Sequence, residues 1–208
     1  MSTLSVNNIT TQTGNVITVP SGKVLASPGL PIQTVLGQDE TGLVINSSNA
    51  PVRFMNVPIT TKVANSTFLI RFYSALYSAT TSSGSYNVDF AAAMGFKTGT
   101  ASTTAADYTA ISTYSPTRET ITFAGGAQRA FYASDAIGFN PDYSSYMPLS
   151  SLYNEDTFAP NQAAGTVINV ACYIQVDGHT NLHLGAGPSG DIADTGTVST
   201  LSITEFAP

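Results

Sequence analysis

Few side chains in this 208-residue sequence have the types and spacings that chemistry needs. The two histidines, His179 and His183, would share a face of an extended chain but lie about 13 Å apart, too far to ligate one metal ion. In a trimer, one histidine from each chain could converge on the axis and bind a metal, but the preferred reading is solvent-exposed or stacking histidines. Asp191 and Asp194 fall in the Gly-rich stretch Gly185–Gly196, where carboxylates and backbone carbonyls together suit Ca²⁺. The single cysteine, Cys172, lies on an apolar strand face with no histidine placed beside it by the sequence, and reads as a small core hydrophobe. Glu119, Asp142, Glu155 and Asp156 would form a glycosidase carboxylate pair only if the fold brought two of them together. No nucleophile elbow, phosphate loop or dinucleotide fingerprint is present. The reading is a non-enzymatic chain with no resident metal or cofactor.

The better candidates are for binding. Residues 139–154 hold Tyr143, Tyr146 and Tyr153 with two prolines and no clear period, and Phe158 follows shortly after. Read as a long irregular loop, this run offers a stacking platform for sugars or a contact between subunits, because tyrosine combines apolar area with a hydroxyl at low entropic cost. The acidic loop with Asp191 and Asp194 is the second candidate. At the other end, Leu4, Val6, Ile9, Val16, Ile17 and Val19 are spaced by polar residues and broken by Pro20 and Gly22. Strands that short bury little alone, so residues 1–30 read as an arm that docks on neighbouring chains. Ser27-Pro-Gly-Leu-Pro31 reads as a stiff linker, and the domain proper as 31–208.

The elements that would position these groups are strands. Gly165–Asp177 alternates with Ile168, Val170, Cys172, Ile174 and Val176 on one face, which predicts a long central strand. Thr67–Tyr77 puts Phe68, Ile70, Phe72 and Leu76 on one side and Leu69, Arg71, Tyr73 and Tyr77 on the other, so both faces are expected to be largely covered. Tyr86–Phe96 alternates likewise and is expected to pair with it as an antiparallel hairpin. Shorter strands are predicted at Ile32–Leu36, Gly42–Ile45, Val52–Ile59 (with Val52 and Phe54 on one side), Arg118–Phe123, Arg129–Ala133 and Asn181–Leu184, and a closing one at Thr197–Phe206. Lys97–Tyr108 is Thr/Ala/Ser-rich and predicts a long loop of moderate order. No helix of ten residues fits. The fold class is all-β, an antiparallel jelly-roll-like β-sandwich with a short N-terminal β arm.

Composition limits the partners. Charged residues are 10%, well below the roughly 25% of an average soluble domain, so the surface must be built largely from uncharged hydroxyl and amide groups. The net charge is −6, and no Lys or Arg follows Arg129, whereas eight acidic residues do: Asp135, Asp142, Glu155, Asp156, Asp177, Asp191, Asp194 and Glu205. This argues against nucleic-acid binding, which needs cations at phosphates. No apolar run approaches the length of a membrane-spanning helix, and Met1–Asn8 lacks the features of a secretory signal.

Three segments carry a family resemblance. Leu4–Gly22 resembles the start of many tailed-phage virion proteins, especially those of marine phages and cyanophages. Val63-Ala-Asn-Ser-Thr-Phe-Leu-Ile-Arg71 resembles a strand of the same proteins, and Gly196–Phe206 resembles their closing strand. Together they touch about a fifth of the chain, in the expected order. The resemblance implies a tail-fibre or knob-like appendage, often trimeric, with a β-sandwich head. The expected protein is therefore a phage virion component, assembled in the host cytoplasm as a homotrimer. Its arm would bind other virion proteins and its knob the host surface, with glycan as the expected partner. The alternative is a head-decoration or tail-structural protein that stabilises the particle.

Overall fold

The computed structural model describes residues 27–40, 43–46, 51–79, 89–111, 132–134, 147–177, 181–184 and 198–208. The arm residues Leu4, Val6, Ile9, Val16, Ile17 and Val19 lie outside them, as do Tyr143, Tyr146, His179, Asp191, Asp194 and the strand expected at 118–123. The described residues form eleven strands: β1 (Pro31–Asp39), β2 (Leu43–Asn46), β3 (Val52–Thr60), β4 (Thr67–Ala79), β5 (Asp89–Thr98), β6 (Thr109–Ala110), β7 (Tyr132–Ser134), β8 (Met147–Phe158), β9 (Val167–Asp177), β10 (Asn181–Leu184) and β11 (Ser199–Phe206). Every strand pair is antiparallel. The only helical element among them is one 3₁₀ turn at Ala105–Asp107.

Two sheets pack face to face into a β-sandwich. In sheet A, β8 runs along one edge of β4 from Phe68 to Ser78, while the other edge is shared by β11 and, further on, β10. Beyond these lie β1 on β11 and β2 on β10. In sheet B, β9 lies between β3 and β5, and the far edge of β5 takes β6 and β7. The predicted central strand is thus central in its sheet. Alternation buries Phe68, Ile70, Phe72, Leu201 and Ile203 from sheet A against Val57, Ile59, Met94, Ile168, Val170, Cys172 and Ile174 from sheet B. Such a core supplies most of the folding free energy, at about 25 cal/mol for each Å² of apolar surface buried.

Four expectations are corrected here. First, β4 and β5 are not a hairpin, because they lie in opposite sheets. Each presents an apolar face, and those faces meet across the core instead of lying side by side. Second, residues 147–158 are a strand and not part of an irregular loop. Its alternation is hidden because Asn154 and Asp156 take the same face as Phe158, so hydrophobicity shows no period and pairing with β4 decides the conformation. Pro148 falls near the start of β8, which pairs with β4 alone among the described strands, an edge position of the kind in which Pro is found. Third, residues 99–111 are a folded cap, described below. Fourth, a register shift between Arg53 and Met55 rephases β3, so Met55, Val57 and Ile59 become its most buried residues. Phe54 remains against the core edge-on to Phe72, with ring centroids 6.1 Å apart.

Both ends of the described chain are tied down. Ser27-Pro-Gly-Leu30 is a β-turn closed by Leu30 N–H donating to Ser27 C=O at 2.8 Å, with Gly29 at φ +74°. Pro at the second position and a left-handed Gly at the third are what a type II turn requires. Gly29 and Leu30 also exchange backbone hydrogen bonds with Ala207, so the expected linker continues the β1–β11 ladder. Nearby, the side chain of Glu205 is fully buried between the sheets. Its carboxyl accepts from Gln33 Nε2 (2.6 Å), from the backbone N–H groups of Lys62 (2.9 and 3.0 Å) and Val63 (3.0 Å), and from Ser66 Oγ (2.7 Å). One side chain thereby clamps the β3–β4 turn to β1 and β11.

Where β1 crosses over β3, the backbone comes close enough to require glycine. A Cβ on Gly37 would sit 2.2 Å from Cγ2 of Val57, which is buried and stiff at χ1. Gly37→Ala is therefore expected to destabilise the fold by about 1–3 kcal/mol through overpacking. It should appear as a lower urea midpoint at unchanged slope.

Candidate functional site

The two outer faces of the sandwich are treated differently. On sheet B, the chain covers its own sheet. Residues 99–111 fold over β9, and Tyr108 at the end of the 3₁₀ turn is fully buried against Tyr173, edge-on with ring centroids 5.5 Å apart. Ala93, Ala105 and Ala171 complete this second, smaller core. The small alanines let the two rings approach the sheet.

Polar groups hold the cap in place. The Tyr108 hydroxyl lies 3.0 Å from Asn56 Oδ1, accepts from Ser102 N–H at 3.1 Å, and lies 3.2 Å from Ser102 C=O. Asn56 Nδ2 donates to Asn169 Oδ1 (3.0 Å), and Asn169 Nδ2 donates to Gly99 C=O (2.6 Å). Arg53 Nη1 donates to Ser102 C=O. Burial first, then the neighbouring Tyr108, pushes the Tyr173 hydroxyl above the ordinary tyrosine range, so it stays protonated.

Sheet A has no such cover among the described residues. Its outward positions fall in register across four strands. Gln38, Thr200, Tyr73 and Tyr153 form one row, Leu36, Ser202, Arg71 and Glu155 the next, and Thr34, Thr204, Leu69 and Thr157 a third. The face is mostly hydroxyls, with Thr34 Oγ1 and Thr204 Oγ1 3.0 Å apart. Tyr73 is 39% exposed and Tyr153 58%. Tyr73 and Tyr153 are directly opposed on neighbouring strands, and the Tyr153 hydroxyl reaches along β8 to Glu155 in the next row. Arg71 and Tyr73 are thus exposed on a face of β4 that was expected to be largely covered, while Leu69 on the same face is half-buried.

Beside the tyrosines, Arg71 Nε donates to Glu155 Oε2 at 2.6 Å, and the Tyr153 hydroxyl donates to the same oxygen at 3.0 Å. The hydrogen bond from Arg71, then that from Tyr153, lowers the Glu155 carboxyl below its usual range, while Glu155 raises both Arg71 and Tyr153. A depressed carboxyl pKa means that the pair persists at neutral pH and is lost as pH falls through the folded-state value. These groups are exposed, and such pairs add little stability. What Glu155 does is hold the guanidinium and the phenol in one arrangement.

Of the expected site residues, Tyr153 lies on this open face. Phe158 is on the other side of β8, stacked at 5.3 Å on Phe68 and at 4.9 Å on Phe96, where it closes one side of the core. Sequence reasoning missed Tyr73 and Arg71 as partners of Tyr153. The available signal was a charged residue within an otherwise apolar alternation, facing the hydroxyl rows of β11.

Among the described residues, no group of three or more His, Cys, Asp or Glu side chains is placed to hold a metal ion. His183 occupies a register position opposite Val44 and Tyr77. Cys172 is fully buried, and burial pushes its thiol above the ordinary range. Its alkylation by iodoacetamide is expected only through global unfolding, so the rate in native buffer should match the unfolding equilibrium measured with urea. Fast labelling of native protein would contradict a core thiol.

No protein-family model matches the chain, and no curated protein matches it. Among solved structures, it is similar to that of infectious bursal disease virus Gx strain, at 12% identity and a TM-score of 0.39, covering 93% of this chain and 47% of that one. It is also similar to that of the Gt strain, at 9% identity and a TM-score of 0.36, covering 90% and 44% respectively. The chain thus spans about half the length of the solved chains it matches. With TM-scores below 0.5, the likeness is loose and no role is taken from it.

Proposed function

We propose that this chain is a non-enzymatic virion structural protein, a tail-fibre or knob-like appendage that meets the host surface through the open face of sheet A. The observation that carries this reading is the asymmetry of the sandwich. The chain spends thirteen residues, 99–111, covering the outer face of sheet B, yet leaves two tyrosines exposed side by side on sheet A. Exposed tyrosines among polar side chains are the composition in which interaction surfaces are enriched. The virion assignment rests on the resemblance of Leu4–Gly22, Val63–Arg71 and Gly196–Phe206 to tailed-phage virion proteins. Two of those segments contribute β4 and β11, the strands that carry the centre of the open face. The sparse charge and abundant hydroxyls suit a protein that lives within an assembly.

In this reading residues 1–30 attach a trimer to the particle. The competing role is a head-decoration or tail-structural protein, in which the same face would be buried on another virion chain. Peptide mass spectrometry of gradient-purified particles tests the shared premise. The chain is expected at a fixed copy number relative to the major capsid protein. Its absence from particles that retain their tails and heads would refute the assignment.

A further inference from the structure

We propose that the Tyr73–Tyr153 face binds an uncharged polysaccharide, an inference that rests on this face being the contact surface. Three observations select that ligand. Tyr73 and Tyr153, paired in register across β4 and β8 and both exposed, each offer a flat ring of the kind on which the C–H-rich face of a pyranose ring stacks. The flanking row supplies hydrogen-bonding groups for ring hydroxyls: the exposed Arg71 guanidinium is a donor, and Glu155, bonded through Oε2, retains Oε1 as an acceptor. The local charge is balanced, since Glu155 neutralises Arg71, the one Lys or Arg among the outward positions of the three rows of this face.

The face also has the right extent. Tyr153, Tyr73, Thr200 and Gln38 lie on four successive strands, and strands about 4.8 Å apart make this row about 14 Å long. That length suits a segment of several linked sugars lying across the strands, with hydroxyl and amide side chains of β1 and β11 beneath its far end. A second copy of this chain fits less well. Among the described residues, the exposed apolar side chains of the face are Tyr73, Tyr153 and Leu36, and Leu36 stands three strands away from Tyr153 and one row over. Stable homodimer interfaces need a continuous apolar centre.

The test is affinity electrophoresis of the full chain through gels containing soluble neutral polysaccharides (a glucan, a galactan, a mannan and a xylan), with a polyuronate as the charged control. At least one neutral polymer is expected to retard the protein, and the polyuronate is not. Tyr153→Ala and Tyr73→Ala should each weaken retention about tenfold at unchanged thermal midpoint, and Tyr153→Phe should retain it within about threefold. Glu155→Gln, which frees the guanidinium without removing a ring, should alter which polymer is preferred. Three results would overturn the proposal: no retardation by any neutral polymer, retardation that survives the double Tyr73→Ala/Tyr153→Ala variant, or a double variant whose sedimentation falls to a smaller oligomer. The last would assign the face to a second copy. Failure here leaves the virion assignment standing, because particle composition is measured separately.

Discussion

Glu205→Ala is expected to lower stability by about 3–5 kcal/mol, the largest effect of any single polar substitution proposed for this chain. The size follows from what the carboxyl leaves behind. Gln33 Nε2, the Lys62 and Val63 N–H groups and Ser66 Oγ all point at its two oxygens, and the residue is fully buried. Removing it strands several donors at once, and each unsatisfied buried donor costs about 1–3 kcal/mol before relaxation. Gln33 keeps its 2.7 Å bond to Thr60 C=O, and Ser66 Oγ lies 2.8 Å from Val63 C=O, which limits the total. Glu205→Gln separates shape from chemistry. It keeps the volume but turns an amide NH₂ toward donors, and should cost about 2 kcal/mol. Thermal denaturation checks both. For a domain of this size, about 3–5 kcal/mol corresponds to a fall in midpoint of about 6–20 °C. A fall of under about 2 °C for the alanine variant would mean that the β3–β4 turn does not depend on this clamp.

The second large effect is expected at Tyr108. Tyr108→Ala removes the ring that seals the cap over β9 and should cost about 3–5 kcal/mol. Tyr108→Phe keeps the ring and its edge-on contact with Tyr173 but strips the hydroxyl from Asn56 Oδ1 and Ser102 N–H, for about 1–2 kcal/mol. Location distinguishes the cap from a general core loss. The Ile111 N–H donates to Met94 C=O and the Gly99 N–H to Val167 C=O, so these amides report whether residues 99–111 stay seated. Hydrogen exchange in Tyr108→Phe should quicken at these amides while those of Ile70 and Ile203 in sheet A remain near native rates. Equal acceleration in both sheets would show that cap and sandwich unfold as one unit.

These residues also show where the fold was legible in the sequence and where it was not. Val167–Asp177 was readable because Ile168, Val170, Cys172 and Ile174 alternate without a break, and β4 and β11 alternate nearly as cleanly. β8 was not, because Asn154 and Asp156 interrupt its inward face and its conformation comes from the eleven register pairs it makes with β4. Partner choice was equally hidden. Local alternation says that β4 and β5 each need a facing layer, but not that they face each other. The cap failed to stand out because its Thr/Ala/Ser composition is what a disordered loop would have, and a single Tyr108 with a few side-chain hydrogen bonds organises it. The open face was half visible. Tyr153 was singled out, but its partner Tyr73 sits 80 residues earlier, and only the β4–β8 register brings them together.

The claim on which the rest depends is that sheet A's outer face is the working surface and sheet B's is closed by its own chain. A near-atomic reconstruction of the assembled particle tests this most directly. The account predicts density for this chain with Tyr73 and Tyr153 turned to solvent at the free side of the appendage, and residues 99–111 away from that tip. Tyr73 and Tyr153 packed against another virion chain, with residues 99–111 forming the outermost surface, would contradict it.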